Sequence, residues 1–131
     1  MKKLQEFAAA KPAITIEIVA EFTLGGVPHD VVHVHQEEEK YILGEEAIRR
    51  ADEDQSDAKV IRSDEHWYHA YEHRGDLPPE LNAFWLGTAR PLPDVPRGVS
   101  CLFRGSPEWC GDWVSLDGDW GHGGLVLRRR T

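Results

Sequence analysis

Six of the seven histidines fall in two groups, and both groups have spacings at which imidazole rings can share a metal ion. His33 and His35 are two residues apart, so on a β-strand both rings project from the same face. On a helix, His66, His69 and His73 lie within about 60° of one another, and the last two have the four-residue spacing of a chelating pair. If the protein holds zinc, nickel or iron, we therefore expect four ligands: His33, His35, His69 and His73.

The same histidines also fit an ordinary packing surface. The segment DEHWYHAYEHR carries Trp67, Tyr68 and Tyr71 beside them, and amphipathic rings of this kind are common on half-buried faces. Because imidazoles titrate near pH 6.5, a pH-sensing role is a further alternative. Because packing explains these histidines without a metal ion, the leading interpretation of the sequence includes no cofactor.

The segment HVHQEEEKYILGEE, residues 33–46, resembles the first motif of the cupin family, in which His-x-His precedes a glutamate and then a glycine. The resemblance implies a β-barrel on which His33, His35 and Glu39 bind a metal together with a further histidine. The segment departs from the motif because Gly44 follows Glu39 too soon. The second cupin motif, Pro-x-Gly-x-x-His, is absent from the sequence.

Negative charge is concentrated in residues 37–65, which carry eleven acidic and five basic side chains. Their net charge of -6 makes up most of the total of -8. Such a field repels nucleic acid and anionic membranes and attracts basic protein surfaces. We expect eight carboxylates to contact a basic partner: Glu37, Glu38, Glu39, Glu45, Glu46, Asp52, Glu53 and Asp54.

No catalytic pattern is evident in the sequence. Cys101 and Cys110 lie outside any known thiol-enzyme context, and no nucleophile elbow or phosphate-binding loop is present. The start of the chain is a poor signal peptide, and no apolar run is long enough for a membrane span. We therefore predict a small cytoplasmic binding or inhibitor protein of the immunity, anti-defence or nucleic-acid-mimic type. It would associate stoichiometrically with a protein that has a basic surface, in an oligomeric state that the sequence leaves open.

Three tryptophans near the glycine-rich turns allow two interpretations. Trp109, Trp113 and Trp120 either pack in the core and fix these turns, or form an exposed binding patch. The patch would suit a subunit of a larger complex.

The elements that must position these residues begin with a predicted hairpin. In AITIEIVAEF, apolar residues alternate with Thr15, Glu17 and Glu21, which is typical of a half-buried strand. LGGVP supplies a turn, and Val31 to His35 return as the second strand. KYIL and AKVIR are shorter strand candidates.

Four segments have helical character. We expect a short helix before Pro12, a second in GEEAIRRADEDQ, a third capped by Ser63 and ended by Gly75, and a fourth in DLPPELNAFWLG, ended by Gly87. Two or three strands complete the chain after a proline-rich connector. We therefore predict a single α+β domain over residues 1–131, an antiparallel β-sheet with three to four short helices mainly in the middle of the chain.

Overall fold

The described fold begins with the predicted hairpin. The computed structural model describes residues 14–53, 56–105 and 108–130. Strands β1 (Glu17–Leu24) and β2 (Val27–His33) pair antiparallel, which confirms the hairpin although β2 starts earlier than expected. Gly25 and Gly26 have φ values of +55° and +79°, a region that glycine enters without the steric cost of a Cβ.

Two α-helices are present in the described residues, and the sequence predicted both. Helix α1 spans Gly44–Glu53 and α2 spans Asp64–Glu72. The Ser63 hydroxyl accepts a hydrogen bond from the backbone N–H of His66 at 3.1 Å, so it caps α2 as expected. A 3₁₀ turn at Arg74–Asp76 follows α2. Neither α-helix is long and apolar enough to cross a bilayer.

A seven-stranded sheet forms the centre of the fold. After β1 and β2 the strands are β3 (Tyr41–Leu43), β4 (Ala58–Val60), β5 (Trp85–Pro91), β6 (Gly98–Arg104), β7 (Trp109–Ser115), β8 (Asp119–Gly121) and β9 (Gly124–Arg130). The strand order of the large sheet is β1-β2-β9-β5-β6-β7, and β4 also pairs with β9. A separate pair, β3 with β8, lies outside this sheet.

The sheet is covered on both faces, and each face has its own apolar core. Successive residues of a strand point to opposite faces, so Leu127 and Val126 of β9 mark the two sides. Leu127 belongs to the core that includes Trp67 of α2. Val126 belongs to the core that includes Ile48 of α1 and Trp120 of β8. The two helices therefore lie on opposite sides of the sheet.

A fully buried ion pair joins strands β2 and β9. The Asp30 carboxylate accepts hydrogen bonds from Nε and Nη2 of Arg128 at 2.8 and 2.9 Å, and both side chains have no exposed surface. Arg130 adds a third donor to the same carboxylate at 3.1 Å. Because Asp30 and Arg128 are register partners, this pair reinforces the strand alignment.

The predicted fold class is wrong. The sequence predicted an α+β domain with a purely antiparallel sheet and three to four helices. The described residues form mainly strands with two α-helices, and the large sheet is mixed because β5 runs parallel to β9. The helix expected before Pro12 lies outside the described residues. The described residues do not form the barrel that the cupin resemblance implies either, because β1 and β7 at the two edges of their sheet do not pair with each other.

The fourth predicted helix, over residues 76–87, does not form. Residues 77–84 are turns and irregular structure, and Trp85–Gly87 begin strand β5. Trp85, Leu86 and Gly87 pair with β6 on one side and with β9 on the other, which satisfies their backbone groups in both directions. Aromatic residues such as Trp85 also favour strands, and its ring packs edge-on against Trp120 at 4.8 Å between centroids. Long-range pairing therefore overrides the local helical pattern.

Candidate functional site

The predicted acidic surface is extensively paired with arginines of the same chain. Arg50 donates to both oxygens of Glu39, at 2.6 and 2.9 Å, and its Nε donates to Glu46 at 2.8 Å. The hydrogen bonds from Arg50 lower the pKa of Glu39 to about 2. Glu46 is likewise held to a pKa of about 2, first by Arg49 and then by Arg50. Both oxygens of Glu39 thus bind Arg50, whereas the cupin resemblance implied that Glu39 is a metal ligand.

Three more of the predicted carboxylates have arginine partners: Glu45 with Arg97, Glu53 with Arg49, and Asp52 with Arg62. Glu37 and Glu38 are exposed and have no such partner in the described ranges. Asp54 lies outside the described residues. Five of the eight carboxylates therefore pair internally. Arg97 lies outside residues 37–65 and adds a positive charge that the net charge of this segment does not include.

The two predicted pairs of histidine ligands lie at two different places. The rings of His33 and His35 stack at 5.4 Å, and Nε2 of His35 donates to the carbonyl of Trp120 at 2.7 Å. His35 is buried, and this burial lowers its pKa.

The second pair packs against the β1–β2 hairpin. His69 and His73 have ring centroids 4.7 Å apart, and Nε2 of His69 donates to the carbonyl of Leu24 at 2.7 Å. The ring of His69 is also parallel to that of His29, at 6.2 Å. His29 precedes His33 on β2 by four residues, or about 13 Å of strand, so the two pairs do not converge. The described part of the chain contains no group of three or more potential ligands that could hold a metal ion.

Another surface has functional features that the sequence analysis did not identify. Helix α2 runs alongside strand β7, since Arg74 just beyond the helix donates to the carbonyl of Trp109 at 2.8 Å. Further along, a Cβ on Gly111 would lie 3.0 Å from the ring of Tyr71. Their side-by-side arrangement brings the exposed residues of α2 next to those of β7.

Two half-exposed aromatic rings stand on this surface. Tyr68 of α2 is 50% exposed and Trp113 of β7 is 49% exposed, although Trp67 next to Tyr68 and Ser100 across from Trp113 are buried. Arg90 links the two elements. Its guanidinium lies 5.3 Å from the centroid of the Tyr68 ring, and its Nη1 donates to the hydroxyl of Ser100, the register partner of Trp113, at 3.0 Å. Its side chain is further fixed by Asp64 at 2.8 Å. These contacts of Arg90 stabilise the part of the surface that carries the two rings.

Two carboxylates of α2 and β7 differ from those of the predicted acidic surface. Glu65 of α2 and Asp112 of β7 are exposed, and neither has a basic partner within ion-pair distance among the described residues. The outer edge of β7 is also unpaired in the described part of the sheet. We call this region the α2–β7 surface, defined by the β7 edge and four side chains: Glu65, Tyr68, Asp112 and Trp113. Because neighbouring residues of a strand alternate, Asp112 projects from the face of β7 opposite to Trp113 and α2.

The sequence contained a partial signal for this surface. The three tryptophans suggested either core packing or a binding patch, and the structure gives each a separate role. Trp120 is 3% exposed and belongs to the core, Trp109 is half-buried, and Trp113 is exposed. The alignment of α2 with β7 depends on long-range packing, which no local pattern indicates.

Comparison of the chain with protein-family models, with curated proteins and with solved structures finds no match.

Proposed function

We propose that the protein acts in the cytoplasm as a binding protein of the inhibitor or immunity type, by stoichiometric association with a partner protein that carries a basic segment. The observation that carries this proposal is the α2–β7 surface. Within the described residues its β7 edge has no partner strand, and this edge is flanked by exposed aromatic rings and by carboxylates that have no basic partner. The overall charge of -8 supports a basic partner and disfavours direct binding of nucleic acid.

An added strand is the form of association that this edge supports best. The backbone N–H and C=O groups along the open side of β7 can pair with an extended segment of another protein. Asp112 is the central residue of β7. Antiparallel pairing of two copies about that centre would place two like charges opposite each other, which is unfavourable. The edge therefore favours a basic strand over a second copy of this chain.

The side chains of the surface supply specificity for arginine or lysine. Trp113 and Asp112 are adjacent on β7, so their side chains flank the two faces of an added strand. An exposed tryptophan ring attracts a cation through its π face, with about 0.5–1 kcal/mol at an exposed site. Glu65 and Asp112 add attraction at longer range, which mainly raises the rate of association.

The proposal is tested by affinity capture from the native host with matched variants. The test variant combines Glu65→Lys with Asp112→Lys, and the control variant combines Glu37→Lys with Glu38→Lys at the predicted acidic surface. Both variants change the net charge equally. We expect the wild-type and control proteins to retain the same salt-sensitive partner and the test variant to bind it about tenfold or more weakly.

The purified complex provides the second readout. Hydrogen exchange of the β7 amides should slow when the partner is bound, because an added strand protects outward-facing N–H groups. Equal binding by the test variant, or unchanged exchange in β7, would contradict the proposal. Loss of binding in the control variant alone would instead place the partner-binding site at Glu37 and Glu38.

A further inference from the structure

A cleft of about 520 Å³ opens between the turn that follows α2 and the end of the β6–β7 hairpin. This volume lies within the usual range for small-molecule sites, about 300–1,000 Å³. Its apolar lining comes from Leu77, Pro79 and the ring of Trp109, and two arginines, Arg74 and Arg104, also line it. The cleft therefore combines an apolar wall with cationic groups.

Arg74 is held in place by backbone carbonyls. Its Nε donates to the carbonyl of Trp109 at 2.8 Å and its Nη1 to that of Tyr71 at 2.7 Å. The guanidinium also stacks over the Tyr71 ring, 4.2 Å from the centroid. Two bonds and one stacking contact fix its plane.

Arg104 is anchored in the same way by the turn before β5. It donates through Nη1 to the carbonyl of Leu81 and through Nη2 to that of Pro79, the latter at 3.1 Å. Its guanidinium lies over the Trp109 ring at 5.6 Å from the centroid. Both cations therefore line the same cleft, and each is held by backbone carbonyls and an aromatic ring.

These anchors leave both positive charges without a counter-charge. Neither Arg74 nor Arg104 has a carboxylate within ion-pair distance in the described ranges, whereas arginines elsewhere, such as Arg50 and Arg128, do. A guanidinium has five N–H donors, and each of these two has spent two of them on carbonyls. The remaining donors can bind an anion without reorganising the side chains, which favours binding.

The carboxylates of the cleft limit the charge of its ligand. Glu72 and Glu108 also line it, so its two positive and two negative groups balance. A multiply charged anion gains little from a lining with no net charge. A single carboxylate can instead bind the arginines directly while its apolar body lies against Trp109.

We propose that this cleft binds a carboxylate attached to an apolar or aromatic body, as in a small aromatic acid or the C-terminal residue of a peptide. The carboxylate accepts hydrogen bonds from the free donors of Arg74 and Arg104, and the body packs on Leu77, Pro79 and Trp109. This site is separate from the α2–β7 surface and does not depend on the protein partner.

The test uses nuclear magnetic resonance of the full ¹⁵N-labelled chain. N-acetylphenylalanine is titrated while the indole N–H of Trp109 and the Nε–H signals of Arg74 and Arg104 are followed. The neutral amide of the same compound is the matched control ligand. We expect the acid to shift these signals in a saturable way and the amide to bind about tenfold or more weakly.

Variants connect the binding to the named groups. Arg74→Lys or Arg104→Lys should weaken binding of the acid severalfold, because lysine keeps the charge and loses the planar fork. Glu72→Gln combined with Glu108→Gln should tighten it and leaves both anchored arginines intact, so this result does not depend on a variant that misfolds. Arg97→Lys, at an exposed ion pair, should change nothing.

Further ligands identify the source of the carboxylate. Tighter binding of a Gly-Gly-Phe tripeptide than of the free acid would support a peptide C-terminus, and the reverse order would support a free small molecule. Equal binding of acid and amide, shifts confined to other residues, or tighter binding of inorganic phosphate would overturn the proposal. No gain in affinity from the two glutamine substitutions would also contradict it.

Discussion

Replacement of Asp30 by asparagine tests how the two halves of the sheet are joined. In Asp30→Asn the side chain keeps its size but loses the negative charge that three arginine hydrogen bonds converge on. The guanidinium of Arg128 is fully buried, so solvent cannot replace that charge without disturbing the strands. We expect a large loss of stability from one substituted atom.

The expected loss is about 3–5 kcal/mol, the usual cost of removing one partner from a buried ion pair. Folded domains of this size are stable by only about 5–15 kcal/mol, so the variant should be near the limit of folding. With a urea dependence of about 2 kcal/mol per molar, a loss of about 4 kcal/mol lowers the unfolding midpoint by about 2 M.

Urea unfolding followed by tryptophan fluorescence measures this difference. The matched control is Glu53→Gln, which removes a carboxylate from an ion pair whose side chains are 59% and 47% exposed. The control should cost less than about 1 kcal/mol. Replacing both buried partners, as in Asp30→Leu with Arg128→Met, should cost less than Asp30→Asn alone. Equal midpoints for Asp30→Asn and Glu53→Gln would refute this account of the buried pair.

Three further outcomes follow from the described contacts. Burial lowers the pKa of His29 below 6.5, so the unfolded chain binds this proton more readily and the free energy of unfolding should fall as the pH drops below about 6.5. His29→Gln should reduce that slope in urea unfolding at about pH 7.5 and about pH 5.5, and an unchanged slope would assign it to other groups. Gly26→Ala should cost about 1 kcal/mol because of its positive φ, whereas Gly25→Ala should cost more because its Cβ would also meet a histidine ring at 2.5 Å; equal melting temperatures would contradict this order. Iodoacetamide should modify exposed Cys110 in the folded protein and spare Cys101, whose pKa burial raises to about 12, and mass spectrometry showing equal labelling would disprove this difference.

Local signals in the sequence were sufficient for the hairpin and both helices. Ser63 is followed by acidic residues and a helical pattern, and the cap depends only on a neighbouring backbone N–H. The Gly25–Gly26 turn likewise depends on the φ freedom of two residues. Such features form within a few residues and are therefore visible in a short window of sequence.

Features that depend on distant partners could not be predicted in the same way. The segment around Trp85 has a helical pattern, but β6 and β9 provide pairing on both sides, and nothing within the segment indicates this. The mixed sheet depends on the same pairing, because its parallel contact joins residues nearly forty positions apart, such as Trp85 and Gly124. The sequence therefore led to the wrong fold class.

The candidate site likewise contains some contacts that local sequence indicates and others that depend on distant residues. Arg50 follows Glu46 by four residues on a predicted helix, so their pairing was foreseeable from helix geometry. The bond from Arg50 to Glu39 spans eleven positions and a turn, and only the fold reveals it. His69 lies on α2 as the sequence predicted, but its hydrogen bond to the carbonyl of Leu24 in the β1–β2 hairpin depends on the fold.

The position of strand β9 late in the sequence determines when the large sheet can form during synthesis. Because β2, β4 and β5 all pair with this strand, they have no common neighbour until residue 130 has emerged from the ribosome. Translation proceeds at about 5–20 residues per second, so β2 waits several seconds for its partner. During that interval the nascent chain exposes edges and apolar faces that chaperones recognise, and the sheet can be completed only once β9 has been made.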